Sequence, residues 1–371
     1  MTILVIATSS IRSFRLSIID GLLFSFSLLL IVGWLLGWIQ WGHLLVALIG
    51  WMIPYVGGRL ISSRLGLQWI YKCLATGAVV ASCLAIAEFL TGTNFFVLIK
   101  MNNSLYTTWH ALQYRGGFLR VEGAFGHSIA LGASLAMCSV FILVVPWPHW
   151  LRLSSLLIVA VAVGLTFSRI GLIGLALTLV VALFALRREM LASLRWKVAA
   201  LFGLAAVLGL PLIMKVFASA GSEASGSAAY RTNIFSLIDT ASLLGIAKSW
   251  DVESNGKTYF GEFQSIDSEI VLTALRFGLL PLLLLLAAIL CCVVSVLRDR
   301  ATPASVAVIG VIPAFATVAM ITQYATLVWF LAGLAVASYN RVPESSLSTK
   351  MTVRGGRTSA IQYREEPRWL R

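Results

Sequence analysis

The sequence predicts an all-α polytopic membrane protein of about ten transmembrane helices, with a large extracytoplasmic loop bearing short helices. Three observations predict it. Of the 371 residues 59% are hydrophobic and only 12% charged, and the mean hydropathy is +0.92, a composition that excludes an ordinary soluble globule. The apolar residues gather into runs near 21–39, 43–58, 70–90, 127–147, 153–167, 170–186, 198–214, 270–297, 303–320 and 322–338, most of them close to the length of a span. With a cytoplasmic N-terminus, that side holds 19 Lys/Arg and 6 Asp/Glu, and the other side 9 of each. The whole formal charge of +13 then lies on one face, the positive-inside pattern of a chain with both termini cytoplasmic.

The first span is too long and too rich in tryptophan for a cleavable signal peptide and reads as retained. Residues 153–186 are apolar almost throughout yet carry Ser168 and Arg169 at their middle. One helix of that length would measure about 50 Å against a hydrocarbon core of roughly 30 Å. Two spans meeting at a turn fit, and the turn moves Arg169 from the bilayer centre, where it would cost about 2.5 kcal/mol or more, to a surface. The cysteines (Cys73, Cys83, Cys138, Cys291, Cys292) lie in or beside spans without metal-ligand spacing and read as small packing residues. The basic charge is spread over short loops and a tail, so anionic lipid headgroups, not nucleic acid, are the expected partner. The tail, 339–371, has seven basic and three acidic residues among serines and glycines and reads as a disordered cytoplasmic segment; 1–338 form one transmembrane domain.

Two segments are too long to be plain connectors, near 91–126 and 215–268, and this topology puts both outside. "GSEASGSAA" at 221–229 reads as a flexible linker. After it, Tyr230, Phe235, Leu243, Leu244, Trp250, Tyr259 and Phe260 supply enough apolar surface to pack, as short helices lying on the membrane. Arg115, Arg120, Arg169 and Arg231 therefore meet on one side. Any one of them could be a snorkelling anchor; several guanidinium forks converging at a membrane surface suit the oxygens of a lipid-linked diphosphate.

"RVEGAFGHSIALGASLA" leading into a span, "TFSRIGLIGLAL", a long outer loop with an early arginine, and "DSEIVLTALRFGLLP" entering the next span together resemble the O-antigen polymerase and O-antigen ligase superfamily, which includes bacterial exopolysaccharide polymerases. The resemblance covers roughly residues 110 to 290. It implies a glycosyltransferase of a bacterial cytoplasmic membrane that uses an oligosaccharide on undecaprenyl diphosphate as donor, works on the extracytoplasmic face without a metal or other cofactor, and works alongside other polysaccharide-assembly proteins. Carried over residue by residue, it implies that Arg169 and Arg231 hold the diphosphate, that Arg120 assists, and that Asp267, with Glu269 beside it, acts on the acceptor hydroxyl. Ligases of the superfamily have a histidine at the end of this loop. Here the loop has none, and Asp267 in that place resembles a polymerase. The mid-loop glycine pair is reduced to Gly245.

Other residues have competing readings. Asp251 and Glu253 resemble an acid-x-acid metal pair but suit a solvated surface better. His127 opens a span and reads as an interfacial residue with a catalytic alternative. Glu88 suits a structural hydrogen bond. Arg276, seven residues after Glu269, shares its helix face and could pair with it or contact phosphate; Arg115 is a further secondary candidate. A rival class, a transporter of lipid-linked or small solutes, would need polar residues at helix centres, and these are nearly missing. A purely structural partner would leave the arginines unexplained.

Overall fold

The computed structural model describes residues 16–98, 112–219, 234–252, 258–320 and 322–339. It is an all-α membrane protein. Five helices are long and apolar enough to cross a bilayer: α1 (Ile18–Leu35), α2 (Trp41–Arg64), α3 (Leu67–Thr91), α7 (Ala192–Ser219) and α9 (Leu279–Leu297). Five shorter apolar helices join them: α4 (Ser128–Val144), α5 (His149–Leu165), α6 (Arg169–Ala185), α10 (Pro303–Thr317) and α11 (Thr322–Tyr339). Large apolar side chains turned outward, among them Val180 and Phe184 on α6, Val207 and Leu208 on α7 and Leu283 and Leu290 on α9, make a surface that water would not tolerate and lipid would.

Inside this shell α4 is buried on nearly every side, with Leu131, Leu135, Phe141 and Ile142 among fully enclosed residues. A helix apolar all round can only be central. Beside it α2 packs on α11. Trp51 stacks on Trp329 with ring centroids 5.4 Å apart, and a methyl group at Gly58 or Gly333 would lie 2.0 Å from the carbonyl oxygen of Phe330 or Tyr55. Only glycine lets the two backbones come this close, the usual device where helices associate without a hydrophobic drive.

Backbone hydrogen bonds show which helix ends lie together. The turn after α1 meets the loop before α8 (Glu269–Phe277), with Ile246 N–H donating to Trp38 O at 2.9 Å. Gly245 N–H donates to Phe277 O at 2.9 Å, and Glu269 N–H to Val318 O at 3.2 Å. At the opposite end Tyr71 and Ser338 hydroxyls are 3.2 Å apart, and Arg188 lies 3.7 Å from Asp299.

Two expectations are corrected. The run 270–297 is not one span but α8 and α9, broken at Gly278, whose φ of +99° no helix continues. Nor are the described residues of 234–260 purely helical: helical residues 234–236 and a 3₁₀ turn, Leu237–Thr240, are followed by an antiparallel hairpin pairing β3 (Trp250–Val252) with β4 (Thr258–Phe260). The expected packing is present, since Ile234, Leu237, Phe260 and Ile266 bury against Val271, Leu272 and Leu275 of α8. The linker 221–229, Tyr230 and the tail lie outside the described residues. Cys138 and Cys292 are buried as packing residues; Cys73 and Cys83 face outward.

Candidate functional site

The apolar run 153–186 does turn at its middle. Thr166 accepts at Oγ1 from Ser168 N–H at 3.2 Å, Ser168 Oγ accepts from Gly171 N–H at 3.1 Å, and Arg169 opens α6 exposed. Serine here is a helix N-cap, satisfying one of the donors that a helix start leaves open. Between them Phe167 adopts a φ of +44°, unusual for a side chain of its size.

A second hairpin brings two more arginines to this turn. Strand β1 (Gln113–Arg115) pairs with β2 (Phe118–Arg120) around Gly116 and Gly117, both at positive φ (53° and 80°), the two-glycine turn that suits tight hairpins. From its two strands Arg115 Nη1 donates to Phe167 O at 2.9 Å and Arg120 Nε to Thr166 O at 3.1 Å. Arg120 Nη1 also donates to Gln113 Oε1 at 3.3 Å, and the side chain is buried. These carbonyls close α5, at the end of a helix that favours cations. Three of the four expected arginines are thus gathered within one turn; Arg231 lies outside the described residues.

The strand that carries Arg120 is pinned from behind. Glu88, buried in α3, accepts from Glu122 N–H at 3.1 Å and Gly123 N–H at 2.8 Å, and Asn94 Nδ2 donates to Gly123 O at 3.1 Å. Glu88 has the structural role the sequence suggested. Glu122, which the sequence reading passed over, is 2% exposed; burial, then the neighbouring Glu88 carboxylate, push its pKa up to about 7 against the opposing pull of Arg120. Its one sequence signal was an acid placed between Arg120 and Gly123.

His127 caps α4, its Nδ1 accepting from Ile129 N–H at 3.2 Å. The neutral ring therefore carries its proton on Nε2, where it donates and does not accept. Burial holds its pKa below the ordinary value, Arg120 pushes the same way, and Asp267 opposes them. One imidazole thus lies in the field of both an arginine of the turn and the acid before α8.

Asp267 is exposed, immediately ahead of Ser268, the N-cap of α8. Glu269 is the opposite: buried, its Oε1 accepting from Thr273 Oγ1 at 3.2 Å and its Oε2 from Met320 N–H at 2.6 Å. Burial raises its pKa. Arg276 lies near enough to favour the Glu269 carboxylate electrostatically, without a direct ion pair among the described residues. Asp251 is exposed in β3, and Glu253 lies outside the described residues. Among the described residues no three His, Cys, Asp or Glu side chains are grouped to hold a metal ion.

No protein-family model matches the chain, and no curated protein matches it.

Proposed function

We propose that this chain is a membrane-embedded glycosyltransferase of the polymerase type. It joins oligosaccharide repeat units carried on undecaprenyl diphosphate, at the extracytoplasmic face of a bacterial cytoplasmic membrane, with ten crossings and both termini cytoplasmic. The reading is supported above all by the convergence of Arg115, Arg120 and Arg169 on one interhelical turn, two of them fastened to consecutive carbonyls and the third exposed. Such a cationic site, at the rim of an apolar helix bundle, suits a ligand that is a diphosphate at one end and a lipid at the other.

The reaction is a single inverting displacement. A sugar hydroxyl oxygen bonds to the anomeric carbon of the donor as that carbon's bond to the diphosphate breaks. The hydroxyl proton passes to the Asp267 carboxylate, and the electron pair leaves with undecaprenyl diphosphate, whose charge the arginines stabilise. Arg231 joins them in this reading. Glu269, with both oxygens held inside the protein, fixes α8 and so the position of Asp267. His127 can donate from Nε2 toward a phosphate or sugar oxygen. Transfer to another acceptor, as in the ligases, is the alternative outcome, and the missing loop histidine favours polymerisation.

The test is turnover of lipid-linked repeat units by purified protein. Arg169→Ala should lose roughly 10²–10³ in rate. Arg169→Lys, which keeps the charge but not the fork, should also be impaired. Asp267→Asn should lose about 10²–10⁴ while still binding donor, and Asp251→Asn should be nearly silent. Normal polymerisation by both Arg169 variants would reduce that residue to an anchor and remove the main support for the reading.

A further inference from the structure

At the end of the bundle opposite the arginine turn, α1, α9, α10 and α11 enclose a groove of about 560 Å³. It runs along α9 from Leu285 to Arg298, about 20 Å at the rise of a helix. Its deep end is apolar, with Leu285, Phe315 and Trp329, and its walls are kept apart by the small side chains of Ala288 and Ala332. Polar residues gather at the mouth, where the charged side chains among the described lining residues are Arg298 and Arg300, both cationic. Neighbouring carboxylates are engaged elsewhere: Asp299 faces Arg188 at 3.7 Å and Asp20 faces Arg59 at 2.7 Å. Thr302 and Ser305 satisfy each other in a reciprocal cap at the start of α10. Arg300 is steadied by a hydrogen bond to the Tyr339 hydroxyl and lies 5.6 Å from the centre of its ring.

We propose that this groove is a binding site for one anionic glycerophospholipid of the cytoplasmic leaflet, an acyl chain lying between α9 and α11 and the phosphate held by Arg298 and Arg300. Magnitudes choose among occupants. A single acyl chain is narrow enough, and the length of the groove matches one leaflet, about half of a 30 Å core plus the headgroup layer. Among the described residues the lining holds no carboxylate to receive a choline or ethanolamine cation, and its two arginines favour a headgroup with net negative charge. The site shares no residue with the proposed transfer chemistry, so its test does not depend on activity.

The experiment reconstitutes the full chain with equal amounts of phosphatidylglycerol and phosphatidylcholine, then measures lipid retention by native mass spectrometry and the thermal midpoint on adding each lipid. One phosphatidylglycerol per chain should be preferentially retained and should raise the midpoint. Arg298→Gln combined with Arg300→Gln should weaken retention roughly 10- to 30-fold, while the corresponding double Lys variant should keep most of it. Both arginines are exposed, so these variants should fold. Ala332→Phe, which fills the groove, should lower retention of either lipid. Equal retention of phosphatidylcholine, full retention by the double Gln variant, or occupancy by detergent alone would overturn the proposal.

Discussion

Two arginine clusters lie at opposite ends of the bundle, and they are built on different principles. At one end Arg59 meets Asp20 in a two-point contact of 2.9 and 2.7 Å, with the Tyr55 hydroxyl (2.6 Å) and Ser17 N–H (2.8 Å) donating to the same carboxylate. The two side chains are 4% and 7% exposed. Charge meets charge there. At the other end Arg115 and Arg120 donate to carbonyls, which have dipoles but no net charge, and Arg169 stands exposed beside them. The first arrangement holds α1 and α2 together; the second ties a hairpin to the α5–α6 turn. Arg59 and Arg120 are both buried, 6% and 8% exposed, so burial alone does not separate the two arrangements; the exposed Arg169 does.

The sharpest way to break this distinction is to open the closed cluster. Asp20→Ala leaves Arg59 buried and uncompensated and should cost about 3–5 kcal/mol of stability, read from thermal or denaturant unfolding in detergent. Asp20→Leu with Arg59→Met should recover most of it and leave turnover untouched, because the pair does no chemistry. A single substitution without effect would mean that water, not protein, solvates the pair. At the open cluster Arg120→Lys loses the contact from Nε to Thr166 O and should cost about 1.5–3 kcal/mol. Its larger effect should fall on rate, since the hairpin and the turn are no longer tied; a change in stability with normal turnover would make Arg120 a strut.

The smallest effect is on pH dependence. Glu122 titrates near 7 in the folded protein because of burial and Glu88, whereas an unfolded glutamate titrates near 4.5. Between those values the folded state binds the extra proton, so stability should be fully present below about pH 4.5 and fall as pH rises through about 7. Glu122→Gln should flatten that slope. The groups facing it are Glu88 of α3, Arg120 of the second strand of the hairpin and the backbone of Gln113 in the first. An unchanged slope of thermal midpoint against pH would assign the titration to a different group.

How much of this was legible in the sequence depended on whether the cause was local. The α5–α6 turn could be read because length alone forbids one helix over 153–186, and the gathering of Arg115, Arg120 and Arg169 followed from alternation of sides. Their fastening to Phe167 and Thr166 could not, since nothing in either segment specifies the register between a hairpin and a turn some fifty residues away. Glu122 was invisible because the burial that raises its pKa, and the Glu88 carboxylate of α3 that adds to it, are products of tertiary packing. Asp267 and Glu269 stand two residues apart and looked interchangeable, but the cap at Ser268 sends one outward and the other in against Met320. The break at Gly278 was hidden because an apolar run reads the same on both sides of it. The β3–β4 hairpin escaped for a related reason, strand preference being set by cross-strand neighbours more than by the residues themselves.

The pairing of α2 with α11 has a consequence for how the protein is made. Gly58 lies against the backbone of Phe330 and Leu334, Gly333 against that of Tyr55 and Arg59, and Trp51 rests on Trp329, yet some 275 residues separate the two glycines in the chain. At about 5–20 residues per second the interval is roughly 15–55 s. Throughout it the face of α2 that carries Trp51 and Gly58 waits in the bilayer without its native neighbour. The packing of α2 is therefore completed only when α11 arrives, and any insertase or chaperone that shields nascent membrane helices would find a long-lived client surface there.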